Sequence, residues 1–378
     1  MSIKRRKILI TGARAPVTLH LCRVLHESGH EVYASDSVSY ALTKASNTIK
    51  DFFLFPSPKF QTENFISSLI DYIQARKIDL LIPTCEESFY ISKYKEKLSL
   101  YCEVFVGDFD KMMLLHHKFD FIQYVKELGF HTPKTIQCSA DNVQQIFDGE
   151  IVLKRIYSRF SDHVVFLHSN DYEPGSFDSS WIAQEKIDGV QYCSYAIARD
   201  GKLLAHSVYE TSFTAGIGAT IAFSYTERKD IELFVRAVVK DLKFTGQISF
   251  DFIVNREDQA FPIECNPRST SGLHLFDHQI AESFFGDPGG TLYPDKETKM
   301  AISLAMVAYG LDNWKRQPFS KWLRTLFTYR DIIWSFHDVR PFFYQFFSMF
   351  SLWKESRRNE RSMIGQSTSD ISWDDDRI

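Results

Sequence analysis

Residues 244–276, FTGQISFDFIVNREDQAFPIECNPRSTSGLHLF, constrain the fold of this chain more than any other stretch. Two apolar runs, QISFDFIV and AFPIEC, flank the polar turn NREDQ, the pattern of a β-hairpin. In the first run Ile248, Phe250 and Phe252 alternate with Ser249, Asp251 and Ile253. Side chains two apart share a face, so Asp251 points away from the phenylalanines. Glu264 and Asn266 share a face of the second strand by the same rule. Arg268 comes next, in a loop with Pro267 and Gly272. Two carboxylates and an amide oxygen converging from neighbouring strands form a hard oxygen site of the kind that suits Mg²⁺. An arginine two residues on suits a phosphate or an anionic substrate, held bidentately. Acids on a hairpin also serve as a plain solvated face. The metal reading gains because these polar residues interrupt strands that are otherwise strongly apolar.

The length, 378 residues, implies two to three domains. With 44 basic and 48 acidic residues the net charge is -4, which gives no electrostatic footprint for nucleic acid. Six cysteines are scattered with no CxxC pair, the usage expected of reduced thiols in a cytoplasmic protein. The start, MSIKRRKILITG, is basic then apolar, but its apolar run is too short for a signal peptide and leads directly into a strand-turn-helix pattern. No apolar run reaches the ~20 residues of a membrane span.

Taken in order, KILIT reads as a buried strand, residues 12–16 as a tight turn, and VTLHLCRVLHESG as a helix ending at Gly29. EVYASD, closing on Asp36, is a second strand. The turn is not GxGxxG, so a nicotinamide site is a weak reading. Arg14 and the amides opening the helix are candidates to hold an anionic substrate group, or the turn is a plain connector with Arg14 exposed. Residues 51–61, with Pro56 and Pro58, read as irregular. A helix (FISSLIDYIQARK) and a strand (IDLLIPT) come next, then Glu86 and Glu87. Lying beyond the carboxyl end of a strand, these acids are candidates for an amine or a cationic substrate group, or for the first turn of the next helix. Residues 1–107 thus form one small α/β domain.

From residue 108 the pattern changes. DKMMLLHHKFDFIQYVKELGF reads as one helix carrying Lys118. EIVLKRI is a strand carrying Lys154 between Val152 and Ile156, and a lysine there is costly without a partner. WIAQEKIDG runs from strand into turn, and VQYCSYAIARDGKLLAHSVYE is a hairpin around Asp200-Gly201. TAGIGAT is a glycine loop, and ERKDIELFVRAVVKDLKF an amphipathic helix. His206, on a central hairpin strand, reads as structural rather than as a base. His274 and His278, four apart, have a spacing that binds zinc on a helix, but no further ligand completes a site, and they read as a surface or core pair.

This order of elements resembles the ATP-grasp enzymes, and within them the carbamoyl-phosphate-synthase-like carboxylate–amine ligases. The resemblance covers about residues 1–280, and ECNPRS is its most specific piece. It implies an α/β and α+β chain. A Rossmann-like pre-ATP-grasp domain (1–107) precedes a two-lobed ATP-grasp domain (108–310, the small lobe about 108–187 and the large lobe about 188–310). A helical, aromatic-rich extension (311–378) ends the chain. By resemblance, Lys118 and Lys154 contact ATP phosphates. Gln184, Glu185, Lys186 and Ile187 form the hinge that clasps adenine. Asp251, Glu264 and Asn266 bind Mg²⁺ or Mn²⁺. Arg268 stabilises phosphoryl transfer and, with Arg14 and Glu86, faces substrate. Gln191 stands near where an acid often holds the ribose. The phosphate loop, glycine-rich in the family, is Tyr157-Ser158-Arg159-Phe160-Ser161 here, with Ser158 and Arg159 as its donors. With the 214–220 loop it would exclude water from an acyl phosphate.

Residues 311–353 are dense in aromatics. Three uses compete for them: helices packed on the body, a homodimer interface, or a membrane surface or greasy pocket. DISWDDDRI reads as an acidic, mobile tail. The chain is thus expected to be an ATP-dependent ligase joining a carboxylic acid (bicarbonate included) to an amine. A non-catalytic nucleotide-binding scaffold is the main alternative, and an NAD(P)-dependent reductase a more distant one.

Overall fold

The computed structural model describes residues 5–138, 143–158, 164–215, 219–286, 288–310 and 318–374. The chain opens with β1 (Lys7–Thr11), α1 (Pro16–Glu27) and β2 (Glu31–Asp36). Gly12 sits at φ 78, a left-handed conformation that lets the strand turn sharply into α1, where Pro16 takes a first-turn position that needs no N–H donor. β3 (Ile49–Leu54), α2 (Thr62–Arg76), β4 (Leu80–Ile82), α3 (Glu87–Lys93), α4 (Lys95–Ser99) and β5 (Glu103–Val104) complete the unit. Its five strands lie parallel in the order β3-β2-β1-β4-β5. The expectation of irregular chain at 51–61 is corrected here: residues 51–54 belong to β3, paired with β2. The apolar run DFFL sets that edge strand, and the prolines lie just beyond it.

The single helix expected after residue 108 is two, α5 (Phe109–His116) and α6 (Lys118–Glu127). His117 breaks the run with extended backbone, and its ring accepts the Asp120 N–H, capping α6. Lys118 therefore opens a helix instead of lying mid-way along one.

Beyond α6 lie β6 (Thr135–Gln137), α7 (Val143–Ile146), β7 (Glu150–Arg155), β8 (Val164–His168) and β9 (Trp181–Glu185). Their antiparallel sheet has the order β6-β9-β7-β8. Next come β10 (Val190–Arg199), β11 (Lys202–Ala215), β12 (Ala219–Thr226), α8 (Lys229–Asp241), β13 (Gly246–Val254), β14 (Ala260–Asn266) and β15 (Lys299–Ala301). After α9 (Ser303–Tyr309) and α10 (Phe319–Thr328), β16 (Arg330–Asp331) closes a seven-stranded sheet ordered β14-β13-β10-β11-β12-β15-β16. Asp200 (φ 49) and Gly201 (φ 79) make the tight β10–β11 turn. One side of α8 buries Ile231, Phe234, Val235, Val238 and Val239. Phe234 meets Phe250 and Phe252 edge-on, with ring centroids 5.2 Å apart in both cases, so the phenylalanine face of β13 is core. Its opposite face is left for Ser249 and Asp251.

The C-terminal extension holds α11 (Arg340–Arg358) and α12 (Met363–Thr368). It is fastened to the first domain. Asp338, buried, accepts from Arg23 Nε at 3.0 Å, Ser46 Oγ at 2.7 Å and the Asn47 N–H at 2.9 Å. The expectation of a mobile acidic tail is corrected through Asp374. The Trp373 ring lies between Phe109, Phe89 and Tyr90, and the Ser372 carbonyl accepts from Tyr90 Oη at 2.6 Å. An aromatic among the acids gave the tail a surface to bury.

Candidate active site

A cleft of about 480 Å³ lies between the four-stranded and seven-stranded sheets. β7 contributes Lys154, which is buried. Burial pulls its ammonium down to about 8, against the opposing pull of Glu264. Its Nζ donates to Gln184 Oε1 on β9 at 2.8 Å, and Gln184 Nε2 donates to Thr135 Oγ1 at 3.0 Å. The amide thus satisfies a lysine that an apolar strand would otherwise reject, while leaving its charge facing the cleft. Lys118, also buried, has Nζ 3.5 Å from Glu264 Oε2 and donates to the Ser158 carbonyl at 3.1 Å.

The hairpin supplies the opposite wall. β13 and β14 pair Asp251 with Glu264 and Ser249 with Asn266, and a bulge interrupts the ladder just after Asp251. Asn266 Nδ2 lies 3.3 Å from Asp251 Oδ2 and 3.2 Å from Glu264 Oε1. Two carboxylates therefore aim at one point, and an amide donor lies between them. Burial beside Glu264 raises the Asp251 carboxyl above its usual range. Glu264 is desolvated too, yet Lys118 and Lys154 hold it below its usual range. Two converging acids, one of them held up by the other's charge, are a donor set that a hard divalent cation fits. Among the described residues no group of three or more His, Cys, Asp and Glu could hold a metal ion, so a cation here would draw its remaining ligands from water, substrate or the Asn266 oxygen once turned from Arg268 towards the acids. That includes the His274 and His278 spacing; the His274 ring instead meets His20 edge-on at 5.1 Å.

Arg268 Nη2 donates to Asn266 Oδ1 at 3.1 Å and lies 3.8 Å from Glu86 Oε1. The guanidinium thus links the carboxylate cluster to the first domain. Glu86 is 3 % exposed, and its Oε2 accepts the Trp373 N–H at 3.3 Å. Its neighbour Glu87 turns inward, accepting from Thr11 Oγ1 at 2.6 Å and from the Thr84 and Cys85 N–H groups. The two acids have different jobs: Glu87 ties strand ends together, and Glu86 faces Arg268.

The cleft is lined by Lys118, Lys154, Ser158, Gln184, Glu185, Lys186, Ile187, Gln191, Asp251, Glu264, Asn266 and Arg268. The Lys186 ammonium is engaged by Glu150 and, at 3.3 Å, by Asp188. Arg159, Gly216 and Gly218 lie outside the described residues. Arg14 does not line the cleft, and its anion comes from its own chain. It donates to Asp36 (Nε 2.9 Å, Nη2 2.6 Å), to Asp370 (Nη1 2.7 Å, Nη2 2.9 Å) and to the Ser367 carbonyl at 2.8 Å. Trp373, whose N–H meets Glu86, is therefore the site neighbour that sequence reasoning missed, and Asp370 the missed partner of Arg14. The lone tryptophan in an acidic run was their one available signal. His206 is buried, and desolvation lowers it to about 4, consistent with a neutral structural ring. All six cysteines are free.

Residues 115–272 match the sequence profile of the ATP-grasp domain. No curated protein matches the chain. Several solved structures share its fold. N5-carboxyaminoimidazole synthetase from Staphylococcus aureus, complexed with ADP, aligns over 85% of this chain and 87% of its own, at 12% identity and a TM-score of 0.61. Biotin carboxylase from Campylobacter jejuni aligns over 77% and 72%, at 14% and 0.60. An L-amino acid ligase from Bacillus licheniformis aligns over 72% and 69%, at 13% and 0.57.

Proposed function

From the premise that residues 115–272 are an ATP-grasp domain, we propose that this protein is an ATP-dependent ligase joining a carboxylic acid to an amine. The observation that carries the reading is the opposition, across one cleft, of Lys118 and Lys154 to Asp251, Glu264, Asn266 and Arg268. A carboxylate oxygen of the acid attacks the γ-phosphorus of ATP, the bond to the β–γ bridging oxygen breaks, and ADP leaves. The acyl phosphate so formed is attacked at carbon by the amine. The carbon–oxygen bond to phosphate breaks, phosphate departs, and the amine gives up a proton. Such transfer depends on positioning and charge neutralisation more than on covalent help from the protein. Lys118 and Lys154 neutralise phosphate oxygens, and Gln184 fixes the Lys154 ammonium. Arg268 offers a fork of donors to the transferring group, and Glu86 steadies Arg268 from behind. Asp251, Glu264 and Asn266 would hold Mg²⁺, whose charge at the phosphates would supplement that of the lysines. The hinge 184–187 takes the adenine.

The test is ADP release from Mg·ATP by purified protein, screened against pooled acids, bicarbonate included, and pooled amines. Acid-dependent release that vanishes in Glu264→Ala with Asn266→Ala is the expected result. Tight ATP binding with no release for any pool would shift the reading to a nucleotide-binding scaffold. No ATP binding at all would overturn it.

A further inference from the structure

The outer side of α11 is a feature that this reading leaves unused. Its inner side is seated on the first domain: Ser348 Oγ donates to the Tyr40 carbonyl at 2.7 Å, Tyr40 Oη donates to Glu355 Oε2 at 2.6 Å, and Gln345 and Ser356 are buried. Its outer side shows Phe343, Phe346, Phe347, Phe350 and Trp353 to solvent, each between 45% and 63% exposed. Helical spacing puts all five on one stripe. Trp334 and Phe342 extend that stripe to Phe336, which is 84% exposed, through ring contacts of 5.5 and 4.9 Å. A monomer rarely leaves so contiguous an aromatic surface uncovered.

The charges at the ends of the stripe identify its occupant. Within the turn that follows the aromatics it becomes Lys354, Arg357 and Arg358, all exposed, with Arg361 next and Arg340 at the opposite end. Among the described residues none of these cations has a carboxylate partner. Of the acids nearby among the described residues, Glu355 is committed inward to Tyr40 and Asp338 to Arg23, and Glu360 is exposed. This excess of positive charge stands on a chain whose net charge is -4. A second copy docked by a two-fold axis would bring the same cations into an interface that offers them almost no acceptor. A surface that is apolar inside and anionic at its rim satisfies both halves of the stripe. We infer that α11 lies on an anionic lipid bilayer, its aromatics in the acyl–headgroup boundary and Lys354, Arg357 and Arg358 among the headgroups. The attachment is peripheral, since no described helix is long and apolar enough to cross a membrane.

The experiment is vesicle flotation of the full chain without nucleotide, so that its outcome is independent of the ligase reading. The probes are phosphatidylcholine vesicles and vesicles containing about one third phosphatidylglycerol. The expected result is co-flotation with the anionic vesicles, at least about tenfold stronger than with neutral ones and weakened by salt. Phe346→Ser with Phe350→Ser should abolish it, and so should Lys354→Glu with Arg357→Glu and Arg358→Glu. These side chains are exposed, so melting curves of both variants should overlay the parent. Three results would overturn the inference. One is no flotation of the parent with either vesicle. Another is flotation indifferent to the charge reversals. The third is a dimer in sedimentation that the double serine variant dissociates, which would assign the patch to a second copy.

Discussion

Lys154 sits among Ile151, Val152 and Leu153 on β7, and the Gln184 amide and the Glu264 charge stabilise its ammonium. Replacing it with methionine keeps the volume and removes the charge. Lys154→Met is expected to fold, with the Gln184 amide oxygen left unpaired at a cost of about 1–3 kcal/mol. It should weaken Mg·ATP binding by roughly one to two orders of magnitude, the size of one buried charge-assisted contact to phosphate. Calorimetric titration checks both the affinity and the folded fraction. Arg268→Lys keeps the charge and loses the planar fork that reaches Asn266 and Glu86 together. Turnover should fall about a hundredfold with nucleotide affinity little changed, read from kcat against a directly measured Kd. At this scale the sequence was informative where a polar residue broke an apolar strand, as at Lys154 and Asp251. It assigned Arg14 to a substrate anion, because the carboxylate that completes its pairing lies 356 positions away.

Among the elements, alternation and turn residues made β13–β14 and β10–β11 legible. They could not convey where a helix is cut. One apolar periodicity runs through residues 109–127, and only the extended backbone at His117 and its cap on Asp120 divide it and bring Lys118 to the cleft. Close approaches of backbone to backbone are equally invisible to periodicity. At Gly189, between the hinge and β10, a Cβ would lie 2.0 Å from the Val254 carbonyl oxygen. The methyl group would have to push β13 and β10 apart, where they carry the cleft floor. Gly189→Ala is therefore expected to cost about 1–3 kcal/mol or more in denaturant unfolding. His117→Ala, which removes the cap and the ring contact with Tyr157, should cost about 1–2 kcal/mol.

Across the whole molecule, buried neutral rings tie stability to pH. Burial lowers both His20 and His206 to about 4, against about 6.5 in an unfolded chain. Between those values the unfolded state binds more protons than the folded one, so stability is fully present above about 6.5 and falls as the pH drops towards 4. Melting temperatures recorded across that interval should decline, and His206→Leu should flatten part of the slope. The passage from parallel to antiparallel strands was legible at this scale from the change of pattern near residue 108. The docked tail was not, since the contacts that dock it are made with far-off partners. Those contacts also impose a timetable. Arg14 and Asp36 leave the ribosome early, while Asp370 and Trp373 come hundreds of residues later. At roughly 5–20 residues per second, that interval lasts some tens of seconds. Throughout it the newborn chain presents a half-neutralised arginine and the edges of Phe89, Tyr90 and Phe109 that Trp373 later covers, a sticky face shut by a segment made hundreds of residues after it.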